Sequence, residues 1–323
     1  MSDLYLVDDI LAKDIAAEPN RKGFGRGLQE AGRRDDNVVA ACADLTESTQ
    51  MHLFRDTFPE RFVEIGVAEQ NLVTVGSGLA AMGKIPFVSS YAAFSPGRNW
   101  EQIRTTICLN DRPVKIVGSH AGVSVGPDGA THQMLEDIAL MRVLPNMVVV
   151  APADSIEAEK ATLAMAEDDR PNYLRLAREA VPIITTKRTP FEIGKAYVYS
   201  PGEDVTVVAT GTMTYQALVA AHKLFKAGID VEVIHCPTIK PLDEATILRS
   251  ARRTKRVITV EEGQAAGGLG GAVAELLSEK FPVPIKRIGM QDRFGESGKP
   301  DELLEKFGLT AKYIELAVHA MIR

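Results

Sequence analysis

The sequence predicts an α/β fold in two domains, with a mostly parallel sheet in the first and a smaller α/β unit as the second. Three observations carry this. Short β-branched or apolar runs alternate with helix-length stretches along most of the chain, the mark of βαβ units. Periodicity weakens between Arg178 and Asp204, where Pro182, Pro190 and Pro201 mark a linker. The conspicuous polar clusters of the first half fall directly after predicted strands. The expected division is 15–180 for the first domain, 181–204 for the linker and 205–323 for the second.

Composition narrows the function classes. A chain of 323 residues has room for two α/β domains. Its hydrophobic share of 45% and charged share of 25% are ordinary for a soluble globular protein. Lys and Arg number 37 against 43 Asp and Glu, a net charge of −6, and no basic stripe is interleaved with aromatics. That argues against a general nucleic-acid binder. Cys42, Cys108 and Cys236 lie far apart, without metal or disulfide spacing, and read as buried reduced thiols. No apolar run reaches the ~18 residues of a membrane span. The start, MSDLYLVDD, lacks the basic region and hydrophobic core of a signal peptide, so a cytoplasmic protein is expected.

In chain order, residues 1–20 read as a short lead-in for packing on a partner, and 22–30 as a helix. The apolar strand 37–43 empties into ADLTEST, Ala43 to Thr49. A buried parallel strand is expected at 61–65, ending at Gly66, and then a helix at 69–82 rich in small residues. The corner between them, EIGVAEQN, puts Glu69 where open α/β sheets bind ligands. Taken alone, Glu69 is equally an acid in a first helical turn, favoured there by the macrodipole. A strand at 85–90, a loop at 95–99 and a helix at 100–109 follow. After the strand 114–119 comes the Gly-rich HAGVSVGPDGATHQ, His120 to Gln133. A helix at 134–143, a strand at 147–151, a helix at 156–167 and a strand at 173–177 complete the first half.

Beyond the linker the alternation resumes, with strands at 205–209, 230–235, 256–260 and 285–288. Helices are expected at 214–227 and 243–252, from the GGLGG cluster (Gly267 to Gly271) to Lys280, and at 301–307 and 312–322. GGLGG lacks the G-x-G-x-x-G spacing, so it is a weak phosphate signal, and close helix–strand packing explains its glycines as well.

Asp44 and Ser48 follow the first strand, Glu69 the second, Tyr91 and Phe94 the third, and His120, Asp128 and His132 the fourth. Each alone has an ordinary explanation: Asp44 or Ser48 as a helix cap, Phe94 as core, His132 as a cap for the helix that follows. Parallel strands, however, put all of these ends on one edge of the sheet, where they form an active-site rim.

The ordered set ADLTEST, GVAEQN, SSYAAF, GPDGATHQ and FGESG (Phe294 to Gly298) resembles the C-terminal half of transketolase, over residues 21–323. The GDG…Asn signature of the family's N-terminal diphosphate domain is not found. The chain therefore resembles the C-terminal subunit of a split, two-gene transketolase. The resemblance implies a thiamine-diphosphate-type pyrimidine-binding domain followed by a transketolase C-terminal domain. It further implies transfer of a two-carbon ketol unit from a ketose phosphate to an aldose phosphate, and activity only with a separate N-terminal subunit. That subunit would hold the diphosphate and its Mg²⁺, in an α₂β₂ assembly.

By the same resemblance Glu69 matches the glutamate that bonds a ring nitrogen of the cofactor aminopyrimidine, in a form that donates a proton. Phe94 matches the stacking aromatic, with Tyr91 beside it, and Asp44 an acid near the thiazolium. His132 and Asp128 match groups that bond sugar hydroxyls, with His132 also a catalytic candidate. Arg21, Ser48, His120 and Arg178 match the phosphate-binding set. Two positions depart from the family: Gly97 stands where an aromatic is common, and Pro127 replaces an acid in the Gly-rich loop. The alternatives within the chemistry are 1-deoxy-xylulose-5-phosphate synthase, a single chain with its diphosphate domain attached, and the beta chain of a 2-oxo-acid dehydrogenase, which carries HSQ in place of THQ. A non-catalytic regulatory partner is the reading from another class, and a nicotinamide-dependent dehydrogenase lacks its fingerprint here.

Overall fold

Continuous β-branched runs such as Val38–Cys42 and Val205–Ala209 are buried at every residue, as expected of parallel strands covered on both faces. In the computed structural model, which describes residues 6–323, they are interior strands of two sheets. The first half runs β1 (Ala17–Pro19), α1 (Asn20–Arg34), β2 (Val38–Cys42), α2 (His52–Thr57), β3 (Phe62–Glu64), α3 (Glu69–Ala81) and β4 (Ile85–Tyr91). Then come α4 (Trp100–Gln102), which continues into a π-helical turn at Ile103–Cys108, β5 (Lys115–Ser119) and α5 (Asp137–Arg142). β6 (Val148–Val150), α6 (Ser155–Ala166) and β7 (Asn172–Arg175) follow.

The second half holds β8 (Ala180–Pro182), β9 (Tyr197–Ser200), β10 (Val205–Ala209), α7 (Met213–Lys226), β11 (Val231–His235) and β12 (Thr238–Lys240). It closes with α8 (Glu244–Thr254), β13 (Val257–Gln264), α9 (Leu269–Lys280), β14 (Ile285–Met290), α10 (Pro300–Lys306) and α11 (Ala311–Ile322).

The first sheet has the order β12-β6-β7-β5-β4-β2-β3, parallel except for β12. The second has the order β14-β13-β10-β11-β9, parallel except for β9. β1 and β8 form a small antiparallel pair. The two units share a core: Val88 and Ile116 of the first sheet lie in one apolar cluster with Val208 and Ile234 of the second sheet and Leu277 of α9. The first sheet's other face is covered by α1 and α6 through Phe24, Leu28 and Met165.

Several elements depart from expectation. The lead-in from Leu6 onward packs on the chain's own second unit, with Leu6 and Ile10 in a core cluster beside Tyr199 and Val207, and Val7 N donating to Ile184 O at 3.0 Å, while its residues 1–5 lie outside the described residues. β3 is an edge strand rather than a buried one, and Val63 is 39% exposed, because only β2 pairs with it among the described residues. The helix expected at 134–143 shrinks to α5, since Met134 O accepts from Gly122 N and Leu135 O from Gln264 N, leaving that stretch extended. The stretch 181–204 contains β9, which pairs with β11, and β12 crosses back to the first sheet.

Candidate active site

The strands β3, β2, β4, β5 and β7 lie side by side in that order, so their carboxyl ends form one row. At ~4.8 Å per strand the row spans roughly 19 Å, enough for an extended ligand. From β2 the chain goes to β3 on one side and from β4 to β5 on the other, so the topological switch falls between β2 and β4. Open sheets bind ligands at such a point. Along the row stand Glu69 after β3, Asp44 and Ser48 after β2, Tyr91 and Phe94 at the end of β4, His120 after β5 and Arg178 after β7.

Glu69 opens α3, yet its side chain is only 2% exposed, so it is not a solvated first-turn acid. Its Oε2 accepts a hydrogen bond from Arg98 Nη1 at 2.5 Å. The same guanidinium lies 4.8 Å from the centroid of the Phe94 ring, a cation–π distance. Asn99 Nδ2 donates to Glu69 O at 2.8 Å and to Ser95 Oγ at 3.1 Å, which ties the turn after Phe94 to the start of α3. A cleft of about 550 Å³ opens here, lined by Val67, Gln70, Asn71 and Gln102 beside Glu69 and Arg98. A Cβ at Gly97 would come 2.1 Å from Ala93 O, so the backbone of this turn leaves no room for a side chain at 97.

Next along the row is a group of rings. Tyr91 stacks on His120 with centroids 3.8 Å apart, and on Phe94 at 6.1 Å. His132 meets Phe94 edge-on at 5.4 Å, and Thr131 Oγ1 lies 2.9 Å from its Nδ1. His120 is 3% exposed, with Ser119 Oγ 2.9 Å from its Nδ1. Burial, then the charges of Arg21 and Arg178, hold its pKa down to about 3, so at neutral pH it is an uncharged donor or acceptor.

The far end of the row is basic. Arg21 donates through Nη1 to Ser48 O at 2.5 Å and through Nε to Arg178 O at 3.3 Å. Arg178 Nη1 donates to Val125 O at 2.6 Å, and the guanidinium lies 3.6 Å from Asp128 Oδ2. Ser48 Oγ turns back to Leu45 O at 3.2 Å. Asp44, with a left-handed backbone (φ 59°), donates its N–H to Glu64 Oε1 at 2.7 Å. Glu64 also accepts from Thr46 Oγ1 at 2.9 Å and Gly66 N at 2.9 Å, so it joins the β2 turn to the β3 corner.

The Gly-rich loop carrying Asp128 and His132 is braced by the second unit. Buried Gln133 donates through Nε2 to Val123 O at 3.2 Å, to Gly126 O at 3.1 Å and to Glu296 O at 2.9 Å. Glu296 belongs to FGESG, which thereby touches the rim from across the chain. Glu262 adds a bond from Ser124 N to its Oε1 at 2.8 Å.

Arg98, Asn99, Glu64 and Gln133 escape sequence reading. Two of them sat within quoted motifs, Gln133 in THQ and Glu64 at the head of EIGVAEQN, but neither motif showed what its side chain bonds. GGLGG is not free for a phosphate: Glu261 accepts from Leu269 N at 2.9 Å and Gly270 N at 2.8 Å, filling the N-terminus of α9. Its carboxyl, raised to about 7 chiefly by burial, is a built-in helix cap. Cys42, Cys108 and Cys236 are free buried thiols. Among the described residues no group of three or more His, Cys, Asp or Glu is placed to hold a metal, and no helix is long and apolar enough to cross a membrane.

Comparison with known proteins gives a consistent result. The family profile "Transketolase, pyrimidine binding domain" matches residues 18–183, and "Transketolase, C-terminal domain" matches 194–314. A putative transketolase C-terminal section of Methanocaldococcus jannaschii is 46% identical, covering 91% of this chain and 93% of its own. A 6-deoxy-6-sulfo-D-fructose transketolase subunit of a Clostridium species is 43% identical, covering 90% of this chain and 91% of its own. Among solved structures, a split gene transketolase described as an inactive beta4 tetramer superposes with a TM-score of 0.89 at 45% identity, covering 94% of this chain and 98% of its own.

Proposed function

This chain belongs to the transketolase family as a subunit of the split type, and on that premise we propose that it moves a two-carbon ketol unit from a ketose phosphate to an aldose phosphate together with a separate N-terminal subunit. The observation that carries the reading is the row itself: a buried glutamate beside an aromatic face at one end, histidines in the middle, paired guanidinium groups at the other. A cofactor's ring, a sugar's hydroxyls and a terminal anion need those groups in that sequence.

The residues fit thiamine diphosphate. Glu69 Oε2 and the Phe94 face are addressed by one planar nitrogen group, the Arg98 guanidinium, so a planar aminopyrimidine can meet both. When bound, thiamine diphosphate supplies the electron sink that carries the two-carbon unit. In this reading Glu69 exchanges a proton with the aminopyrimidine nitrogen, Phe94 stacks on the ring with Tyr91 behind it, and Asp44 stands near the thiazolium. A dry crevice between subunits strengthens such contacts. His132 and Asp128 orient sugar hydroxyls, and His132 moves a proton there. Arg21, Arg178, Ser48 and His120 hold the phosphate, His120 as an uncharged hydrogen-bonding group. The diphosphate and its Mg²⁺ rest mainly on the N-terminal subunit, in an α₂β₂ assembly, and the buried reduced thiols fit a cytoplasmic setting.

Replacing Glu69 with Gln tests this. In the reconstituted complex the variant should fold yet lose most turnover, because an amide cannot exchange that proton. Near-normal turnover would refute the role given to Glu69.

A further inference from the structure

Arg98 joins the two groups that the proposed reading gives to the cofactor ring. Its guanidinium bonds Glu69 Oε2 at 2.5 Å and covers the Phe94 face at 4.8 Å, while its side chain is 49% exposed. Guanidinium and aminopyrimidine share a shape: each is flat, stacks on an aromatic face, and presents nitrogen along the edge turned to a carboxyl. We infer that Arg98 is an internal stand-in for the aminopyrimidine, occupying its seat and leaving it when the cofactor binds. The inference rests on the reading of Glu69 and Phe94 as that seat.

The surroundings make both states accessible. A carboxylate as buried as Glu69 is costly without a partner, so something must face it when the ring is elsewhere. Arg98 sits on the turn between Phe94 and α4, half in solvent, and can swing outward on its own side-chain torsions without moving a packed element. Asn99, its neighbour, is fully buried and holds Glu69 O, so the seat keeps its backbone shape when Arg98 departs. Arg98 thus sets cofactor affinity from within the seat.

The test is equilibrium binding. Trp100, the only Trp of the chain, lies two residues from Arg98 and reports occupancy by fluorescence. The full chain is titrated with 4-amino-5-hydroxymethyl-2-methylpyrimidine, and the complex with its N-terminal subunit is titrated with thiamine diphosphate and Mg²⁺. Arg98→Ala should bind both probes about tenfold more tightly, the order expected from losing one half-exposed ion pair and one cation–π contact. Arg98→Lys, which keeps the charge without the planar fork, should fall between. If Arg98→Ala fails to fold in a thermal melt, Arg98→Gln replaces it, with tightening again expected. Unchanged or weaker binding by the Arg98 variants, with Phe94→Ala still abolishing it, would overturn the stand-in and leave the seat intact. Binding that Phe94→Ala and Glu69→Gln leave untouched, or no binding at all, would refute the seat and the inference with it.

Discussion

Replacing Gly295 with Ala would put a methyl carbon 1.9 Å from Gln133 Oε1, where ordinary contact needs more than a further ångström. Gln133 is 4% exposed and cannot swing into solvent, so its amide must shift within the core. That amide's two protons serve three carbonyls, those of Val123, Gly126 and Glu296. A shift of this size breaks about two net hydrogen bonds at ~1 kcal/mol each, roughly 2 kcal/mol or thirtyfold in an equilibrium constant. The loss falls on the loop that carries Asp128 and His132. In the reconstituted complex the Michaelis constant for the sugar should therefore rise by up to about thirtyfold, while cofactor affinity, which the proposed function gives to Glu69 and Phe94, stays near normal. Hydrogen exchange gives a readout without activity: the amides of Gly129, His132 and Gln133, bonded within the loop, should lose protection. The double variant with Gln133→Ala should cost less than the sum of the singles, because the clash has lost its partner. Unchanged loop protection in Gly295→Ala, or strict additivity, would refute the bracing.

Other outcomes follow from the same geometry. Arg178→Ala should raise the Michaelis constant for phosphorylated sugars far more than for unphosphorylated ones, since a charge-assisted contact contributes about 2 kcal/mol; equal effects in steady-state kinetics would remove Arg178 from the phosphate site. His120, with its pKa lowered from 6.5 to about 3 when folded, binds fewer protons in the native state than in the unfolded one across that window. Its contribution is full above pH 6.5 and is lost as pH falls toward 3. Melting curves of His120→Gln should accordingly show a shallower decline below pH 6.5 than the parent. Gly97→Phe should destabilise by roughly 2 kcal/mol in denaturant titrations, because the backbone around Ala93 leaves no room for a side chain.

The row of strand ends was legible because it depends on local facts: apolar runs of strand length, and polar residues directly after them. Parallel pairing then orders Glu69, Tyr91 and His120 along one edge. What escaped depends on contacts distant in sequence or on turn geometry. Arg98 reads as one residue of the loop SPGRN, and its place between Glu69 and Phe94 follows from a tight turn that only the folded chain reveals. The cap on GGLGG comes from Glu261 within β13, where an acid in an apolar strand gave no sign of its target. β12 is three residues long and pairs with β6, whose Val149 and Val150 lie far back in the chain, beyond the reach of periodicity. The edge strand β3 read as buried because its residue types suit a core, whereas exposure is decided by which neighbours the sheet provides.

The most direct measurement of the central claim is ketol transfer from xylulose 5-phosphate to ribose 5-phosphate with thiamine diphosphate and Mg²⁺, run on this chain alone and mixed with its N-terminal subunit. Turnover is expected only in the mixture. Turnover by this chain alone would contradict the division of the site between two subunits, and silence in the mixture across phosphorylated ketoses would contradict ketol transfer itself.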